Sequence, residues 1–374
     1  MQSPGTTTHF RTRSAKYQQE GAQYRVADKM SSVSVIIPSY NYARFLPGCV
    51  QSVLTQEDVE VEVLVIDDCS SDETDAVGQE LAIDPRVTFR RHEVNKGHIA
   101  TYNEGFDWAS ADYVALLSAD DLLTPGALKR ATMALDSRST AGLVYGRSVY
   151  FVSNDAIPPA RTGEPLPCLW PGRDWIAERC KVAVNCISSP EVVVRTSLQR
   201  ELGGYRADLP QAGDLEMWLR FAAHADIIYL RRVDQAFYRR HSQSMMRTTN
   251  NFTMTDLQQR RLSFDALFLQ YGSRLSGAEH LHSQANKALA KDALWSACRA
   301  FDRRPFDQVE VEALEEFAMQ TYPDYRTLSE YRGLNWRRRV GPRWCPFVQP
   351  LLPSHYVHKA RNILWWRHWR EFGV

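Results

Sequence analysis

From residue 33 the chain alternates short β-branched apolar runs with amphipathic stretches. The runs at 33–37, 61–66, 87–91 and 113–117 have the length and composition of buried strands. Between and after them, 45–54, 72–81, 99–109 and 125–135 carry apolar residues at helical spacing, the last opened by Thr124 as a cap and Pro125 as a first-turn residue. Strand and helix in alternation predict an α/β fold, a mostly parallel sheet with helices on both faces. A Pro-rich loop is expected over 157–171, followed by a strand at 191–195, a turn at Gly203-Gly204, a helix over 215–224 and a strand-like run at 236–240. Beyond about 249 the strand signals fade, and 256–271, 278–301 and 308–322 read as helices. The expected organisation is a disordered leader over 1–30, an α/β domain over 31–249 and a helical C-terminal module over 250–374 with a basic, Trp-rich end.

Composition narrows the function only by exclusion. Among 374 residues, 44% are hydrophobic and 24% charged, which is ordinary globular usage. A net charge of +1 gives no global field for nucleic acid, so no nucleic-acid partner is expected. The seven cysteines are scattered without metal-type spacing and read as reduced thiols. No stretch approaches a membrane span and no apolar leader is present, so a cytoplasmic location is expected.

Sheets of this kind bind ligands beyond the carboxyl ends of their strands, and the residues there are polar. Pro38-Ser39-Tyr40-Asn41 follows the first run, Asp67-Asp68-Cys69-Ser70-Ser71-Asp72 the second, and Ser118-Ala119-Asp120-Asp121 the fourth. An ionised carboxylate only accepts hydrogen bonds, so Asp68 suits a base edge that donates, such as the imide of uracil or thymine, on which Tyr40 could stack. As a turn or cap residue ahead of Ser71, Asp68 would do neither. Asp120 and Asp121 suit an oxygen-liganded Mg²⁺ or Mn²⁺ that offsets charge on a diphosphate, or else are two solvated acids on a turn.

In the order of these loops the chain resembles family 2 of the inverting glycosyltransferases, whose catalytic domain has the GT-A fold. The resemblance covers about 210 residues and adds Asn95-Lys96-Gly97, Asn103-Glu104-Gly105, Gly213-Asp214-Leu215-Glu216 and Tyr238-Arg239-Arg240-His241-Ser242-Gln243-Ser244 to the loops above. It implies nucleotide contacts from Pro38, Tyr40, Asp68, Lys96 and Asp120. It further implies a metal on Asp121, with His241 reaching the metal or the diphosphate, and Asp214 as the general base. Ser118 stands where many members have a further Asp, and Gly213 where many have Glu. The implied reaction is inverting, metal-dependent transfer of a sugar from a nucleoside diphosphate, UDP first, to a hydroxyl of a glycan or glycolipid, in the making of cell-envelope polysaccharide. Asp214 as a plain helix cap and His241 and Lys96 as surface residues are the alternatives these positions also admit, while Asn103 and Gly105 are assigned mainly to packing beneath the donor.

Two readings from other classes stand beside the enzyme: a non-catalytic nucleotide-sugar-binding protein, and a nucleotidyltransferase that makes nucleotide-sugars. The second would need a Gly-rich phosphate loop after its first strand, which Pro38-Ser39-Tyr40-Asn41 does not supply. The end of the chain, 356–372, mixes Ile363, Leu364, Trp365, Trp366 and Trp369 with Lys359, Arg361, Arg367 and Arg370. Such a segment either lies peripherally on the inner face of a membrane or docks as a terminal helix on the helical module.

Overall fold

The first apolar run, extended to Ser32–Ser39, pairs in parallel with the second, extended to Glu60–Asp67, because the core of each strand is buried on both faces and its β-branched side chains fill both layers. A computed structural model describes residues 30–152, 156–241, 252–348 and 353–374. The leader up to residue 29, the boundary expected at 249 and the Ser242-Gln243-Ser244 end of the last motif lie outside the described residues.

The chain divides into two compact units that interleave along the sequence: Met1–Gly172, Ile187–Asp208 and His224–Ser242 in the first, Arg173–Cys186, Leu209–Ala223 and Gln243–Val374 in the second. The sequence reading draws a single boundary instead. Residues 173–186 and 209–223, drawn there inside the α/β domain, sit with the second unit.

In the first unit the strands are β1 (Ser32–Ser39), β2 (Glu60–Asp67), β3 (Val87–Arg91), β4 (Tyr113–Leu116), β5 (Leu122–Leu123), β6 (Ala141–Tyr145), β7 (Ser148–Val152), β8 (Leu166–Trp170), β9 (Val192–Arg195), β10 (Asp226–Arg231) and β11 (Ala236–Arg240). The main sheet runs β3-β2-β1-β4-β9-β6-β10-β8, and a small sheet runs β5-β11-β7. The helices α1 (Leu46–Leu54), α2 (Thr74–Leu81), α3 (His98–Trp108) and α4 (Ala127–Asp136) follow the strands as the alternation predicts. Val35, Ile37, Leu46, Val50, Val63, Val65, Leu128 and Leu135 form part of one continuous core. Gly105 lies where α3 crosses β1; a methyl there would fall 2.3 Å from Ile36 Cγ2, so only glycine permits the approach.

Two local expectations are corrected. Thr124 does not cap α4: the cap position is Gly126, left-handed at φ 70°. The Thr124 hydroxyl donates instead to the Asp234 carbonyl at 2.6 Å and accepts from Arg130 Nη2 at 2.9 Å, because a fully buried hydroxyl needs both partners. The Pro-rich stretch 157–171 is not all loop, since β8 pairs antiparallel with β10. Pro167 hides it from a strand pattern, yet at the edge of a sheet a proline is tolerated.

The second unit is helical: α5 (Gly172–Val182), then, after α6 (Thr196–Leu202) of the first unit, α7 (Gly213–Ala222), α8 (Phe252–Tyr271), α9 (Ala278–Asp302), α10 (Gln308–Thr321), α11 (Ser329–Val340), α12 (Cys345–Val348) and α13 (Pro353–Phe372). Leu257, Phe264, Ala285, Leu289, Ala293, Leu314 and Leu334 are buried along the facing helices. Arg337, 1% exposed, is held by three hydrogen bonds to the Asp302 carboxylate at 2.8–3.1 Å, the pairing a buried guanidinium requires. Among the described residues no helix is long and apolar enough to cross a membrane. All seven cysteines are free thiols.

Candidate functional site

At the carboxyl edge of β1 and β2 the two following loops are stitched together by side chains. The Asn41 N–H donates to Ser70 Oγ at 2.8 Å, the Ser71 N–H donates to Asn41 Oδ1 at 2.8 Å, and the Ala43 N–H donates to Asp72 Oδ2 at 3.0 Å. Asn41 holds this turn at φ 58°, a left-handed conformation that Asn tolerates better than most residues. Pro38 is half-buried at the end of β1, and Tyr40 stands 50% exposed at the rim, an aromatic face open to a stacking ligand. Asp67 is consumed by the fold: it is fully buried, accepting from Arg91 Nη1 at 2.7 Å and from the Ser70 N–H at 3.0 Å.

Asp68 is the hub of the second loop. Its Oδ1 accepts from His92 Nδ1 at 2.7 Å and the Lys96 N–H at 2.8 Å, and its Oδ2 from the Gly97 N–H at 2.9 Å. Burial alone would raise this carboxyl, but the three hydrogen bonds outweigh it and hold it below its ordinary 3.8. Gly97, at φ 83°, makes the turn that aims two successive N–H groups at one carboxylate. His92 is buried and bridges to Glu104, whose Oε2 lies 2.9 Å from Nε2 and 3.1 Å from Lys96 Nζ. Burial raises the Glu104 carboxyl as well, and the Lys96 and His92 hydrogen bonds reverse the shift. The sequence reading names Asp68 and Lys96 but not His92 or Glu104. The latter sits in plain view within Asn103-Glu104-Gly105, and an acid flanked by packing residues on a helix was the available signal.

The third loop carries the acids. Ser118 Oγ donates to Asp120 Oδ1 at 2.6 Å, and His241 Nε2 lies 2.9 Å from Asp120 Oδ2. Sequence separation of 121 residues is thus closed by one contact, because β11 runs beside β5 directly after the acids. The backbone N–H of Arg239 donates to Asp121 Oδ1 at 2.8 Å and its Nε to the Asp120 carbonyl at 2.8 Å, while its guanidinium lies 4.6 and 4.5 Å from the ring centroids of Phe45 and Phe151. Tyr42 and Phe45 pack on the His241 ring at 5.5 and 5.6 Å. Their roles were missed, since nothing in a lone aromatic says which imidazole it will meet.

Burial, with the neighbouring Asp120 charge, pushes the Asp121 carboxyl well above its ordinary value. Burial and the same pair of acids raise the Cys49 thiol and the Tyr42 hydroxyl. All three shifts trace first to burial and then to the same neighbouring acids. Among the described residues His241 Nδ1 is buried there without a hydrogen-bond partner, an acceptor or donor that a ligand would satisfy. Among the described residues no three His, Cys, Asp or Glu side chains stand close enough to cage a metal by themselves. One or two carboxylates completed by phosphate and water is the usual arrangement for Mg²⁺, and Asp120 and Asp121 fit it.

Asp214 lies in the second unit, half-buried in the first turn of α7, whose cap is Ala212. It is therefore not a cap residue, and its charge faces the positive end of the helix dipole. Glu216 is engaged with Arg220 at 2.9 Å, both side chains buried. Asn103 pairs with the Tyr205 backbone at 2.7 and 2.9 Å, a packing role.

Residues 34–185 match the model of "Glycosyl transferase family 2". A 127-residue stretch, 34% of the chain, is 35% identical to half of the putative teichuronic acid biosynthesis glycosyltransferase TuaG of Bacillus subtilis. The matched stretches span 42%, 64% and 31% of the lengths of three further curated relatives. In three dimensions the chain is similar to S. aureus TarS 1-349 solved in complex with UDP-GlcNAc, with a TM-score of 0.62 at 17% identity over 86% of this chain and 92% of that one. It is also similar to the mannosyltransferase PcManGT of Pyrobaculum calidifontis in complex with GDP-Man and Mn²⁺, with a TM-score of 0.52 at 18% identity over 89% and 93%. The fold is that of the GT-A glycosyltransferases, with a large mostly parallel sheet and a helical C-terminal region.

Proposed function

From a chain that carries the family 2 glycosyltransferase signature on a GT-A fold, we propose an inverting glycosyltransferase that takes a sugar from a nucleoside diphosphate, UDP first, and passes it to a hydroxyl of a growing glycan or glycolipid. The observation that carries this reading is the pocket in which Asp120, Asp121, Arg239 and His241 converge. Its acids and imidazole are buried, and among the described residues His241 Nδ1 has no hydrogen-bond partner there. An acidic pocket of that kind is suited to a cation and its diphosphate partner, and much less to an apolar ligand.

Tyr40 offers its exposed ring to the base, and Asp68, with Pro38 and the Lys96 loop beside it, reads a donating base edge. Asp120 orients towards the ribose side, held by Ser118 and His241. Asp121, with His241, would hold Mn²⁺ or Mg²⁺, which when bound offsets the charge growing on the diphosphate as the glycosidic bond breaks. Arg239 and its two aromatic faces keep the acids in register and exclude water from them. Asp214 is assigned to take the acceptor's proton as the hydroxyl attacks the anomeric carbon from the side opposite the leaving group, so that one displacement inverts the configuration. The same scaffold without turnover would be a nucleotide-sugar-binding protein.

Two measurements test the reading together. UDP or dTDP with Mn²⁺ should raise the unfolding temperature more than ADP or CDP, since ligands of the native state stabilise it. Asp214→Asn should retain that shift and lose sugar transfer by roughly 100- to 10,000-fold, the contribution of a positioned general base. Equal shifts for all four nucleotides remove the base-reading role, and undiminished transfer by the variant removes Asp214 as the base.

A further inference from the structure

The charge of this chain is unevenly placed. Residues 331–374 hold nine Lys and Arg against one acid, Glu371, a net +8 in a protein whose total is +1. The same stretch exposes Trp344 at 59%, Phe347 at 64%, Tyr356 at 59%, Ile363 at 47%, Leu364 at 63% and Trp366 at 46%. Folded proteins ordinarily separate such residues, burying the apolar ones and leaving the basic ones out.

Helix α13 resolves how both are displayed. Trp369 is buried, and Trp365, His368 and Phe372, spaced three or four residues apart, are partly covered; these mark the face by which the helix docks within the second unit. Arg361 Nη1 lies 4.0 Å from Glu330 Oε1 of α11, and the Gly373 carbonyl just beyond the helix accepts from Cys186 Sγ at 3.6 Å. Of the two alternatives the sequence left open, the docked helix is therefore present. Tyr356, Lys359, Ile363, Trp366, Arg367 and Arg370 recur at the same spacing on the opposite face, and all are exposed. Docking by one face thus leaves the opposite, basic and apolar face exposed. The pairing of cation with exposed ring recurs nearby, with Arg343 5.9 Å from the Trp344 ring and Arg304 5.0 Å from Phe347.

We propose that the outward face of α13 is a seat for an anionic lipid surface, on which this protein rests peripherally. Charge complementarity selects an anionic partner, and the aliphatic side chains select among anions. A nucleic acid would neutralise Lys359, Arg367 and Arg370 but leave Ile363 and Leu364 in water. A lipid interface takes both, drawing Trp and aliphatic side chains to the acyl boundary while Lys and Arg extend to the headgroups. The inference does not depend on the catalytic reading, because it concerns binding alone.

The test uses the full chain and sucrose-loaded vesicles of equal parts phosphatidylglycerol and phosphatidylcholine, beside vesicles of phosphatidylcholine alone. Co-sedimentation is expected with the first at low salt, falling as salt rises, and far less with the second. The K359Q/R367Q/R370Q variant should lose on the order of 100-fold in partitioning, about fivefold for each cation. The I363S/L364S variant should lose about tenfold while keeping its charge. All five side chains are exposed, and unchanged circular dichroism will show that neither variant has unfolded. Absence of binding to the anionic vesicles, equal binding to both kinds, or undiminished binding by the triple variant overturns the proposal. So does retention by duplex DNA that the triple variant loses while I363S/L364S keeps it, if vesicles are ignored.

Discussion

Asp68→Asn replaces one carboxylate oxygen by an NH2 group and tests how much of the nucleotide loop one carboxylate builds. The native group accepts from His92 Nδ1, the Lys96 N–H and the Gly97 N–H. A carboxylate offers about four acceptor directions, so one is left for an incoming base imide. An Asn amide with its oxygen in the Oδ1 place turns its NH2 towards the Gly97 N–H, and flipped it turns the NH2 towards the Lys96 N–H. Either way one part-buried backbone donor loses its acceptor and the remaining bonds lose their charge. With hydrogen bonds to a charged group worth about 1.5–3 kcal/mol, the variant should lose about 2–4 kcal/mol. For a unit of this size that lowers the unfolding midpoint by roughly 5–15 °C.

The sign with pH follows from the depressed native carboxyl. An acid held below its unfolded value stabilises the fold above that value and loses the contribution as pH falls through the native one. The gap between native protein and variant should therefore be full at pH 7 and close below about pH 4. Separately, UDP affinity measured by calorimetry well below the variant's melting temperature should fall roughly 10- to 100-fold, the loss of one charge-assisted bond. An unchanged midpoint would refute the hydrogen-bond reading. A lowered midpoint with undiminished UDP affinity would make Asp68 a scaffold residue and move base recognition elsewhere.

Asp121→Ala should keep the fold but lose the gain in UDP affinity that Mn²⁺ gives the native protein, as read by titration with and without the metal. Glu191 is buried against Ser148 Oγ at 2.6 Å and the Ser188 N–H at 3.1 Å, and burial lifts its carboxyl from 4.5 to about 8. A raised acid favours the fold fully below pH 4.5 and loses that contribution as pH rises through about 8, a swing of about 5 kcal/mol at 1.36 kcal/mol per pH unit. Glu191→Gln should flatten that slope in urea unfolding between pH 5 and pH 9, and an unaltered slope would place the pH dependence elsewhere. Arg337→Met strands the Asp302 carboxylate and should cost about 3–5 kcal/mol, whereas Arg337→Met with Asp302→Leu should recover most of it in the same assay.

The strands and helices of the first unit were legible because their signals are local. A run such as 33–37 can only be buried on both faces, and the acids that end such runs must lie at one sheet edge whatever the rest of the chain does. Local signals also explain the misreadings. Thr124 has a capping residue's chemistry, and only the arrival of Asp234 and Arg130 from elsewhere decides that its hydroxyl is used otherwise. Pro167 forbids a central strand, and only the sheet order shows that β8 is an edge. The likeness of α13 to both a docked and an interfacial helix could not be settled along the sequence, since both need apolar and basic residues; packing assigned Trp369 inward and Ile363 outward. The candidate site divides the same way. Sequence supplied Asp68, Asp120, Asp121 and His241 as residue types at suggestive places. The tertiary structure alone put His241 on Asp120, set His92 between Asp68 and Glu104, and stacked Arg239 against Phe45. Each of those contacts is fixed by strand order and burial, quantities that depend on every other element and so are not written in any one stretch of residues.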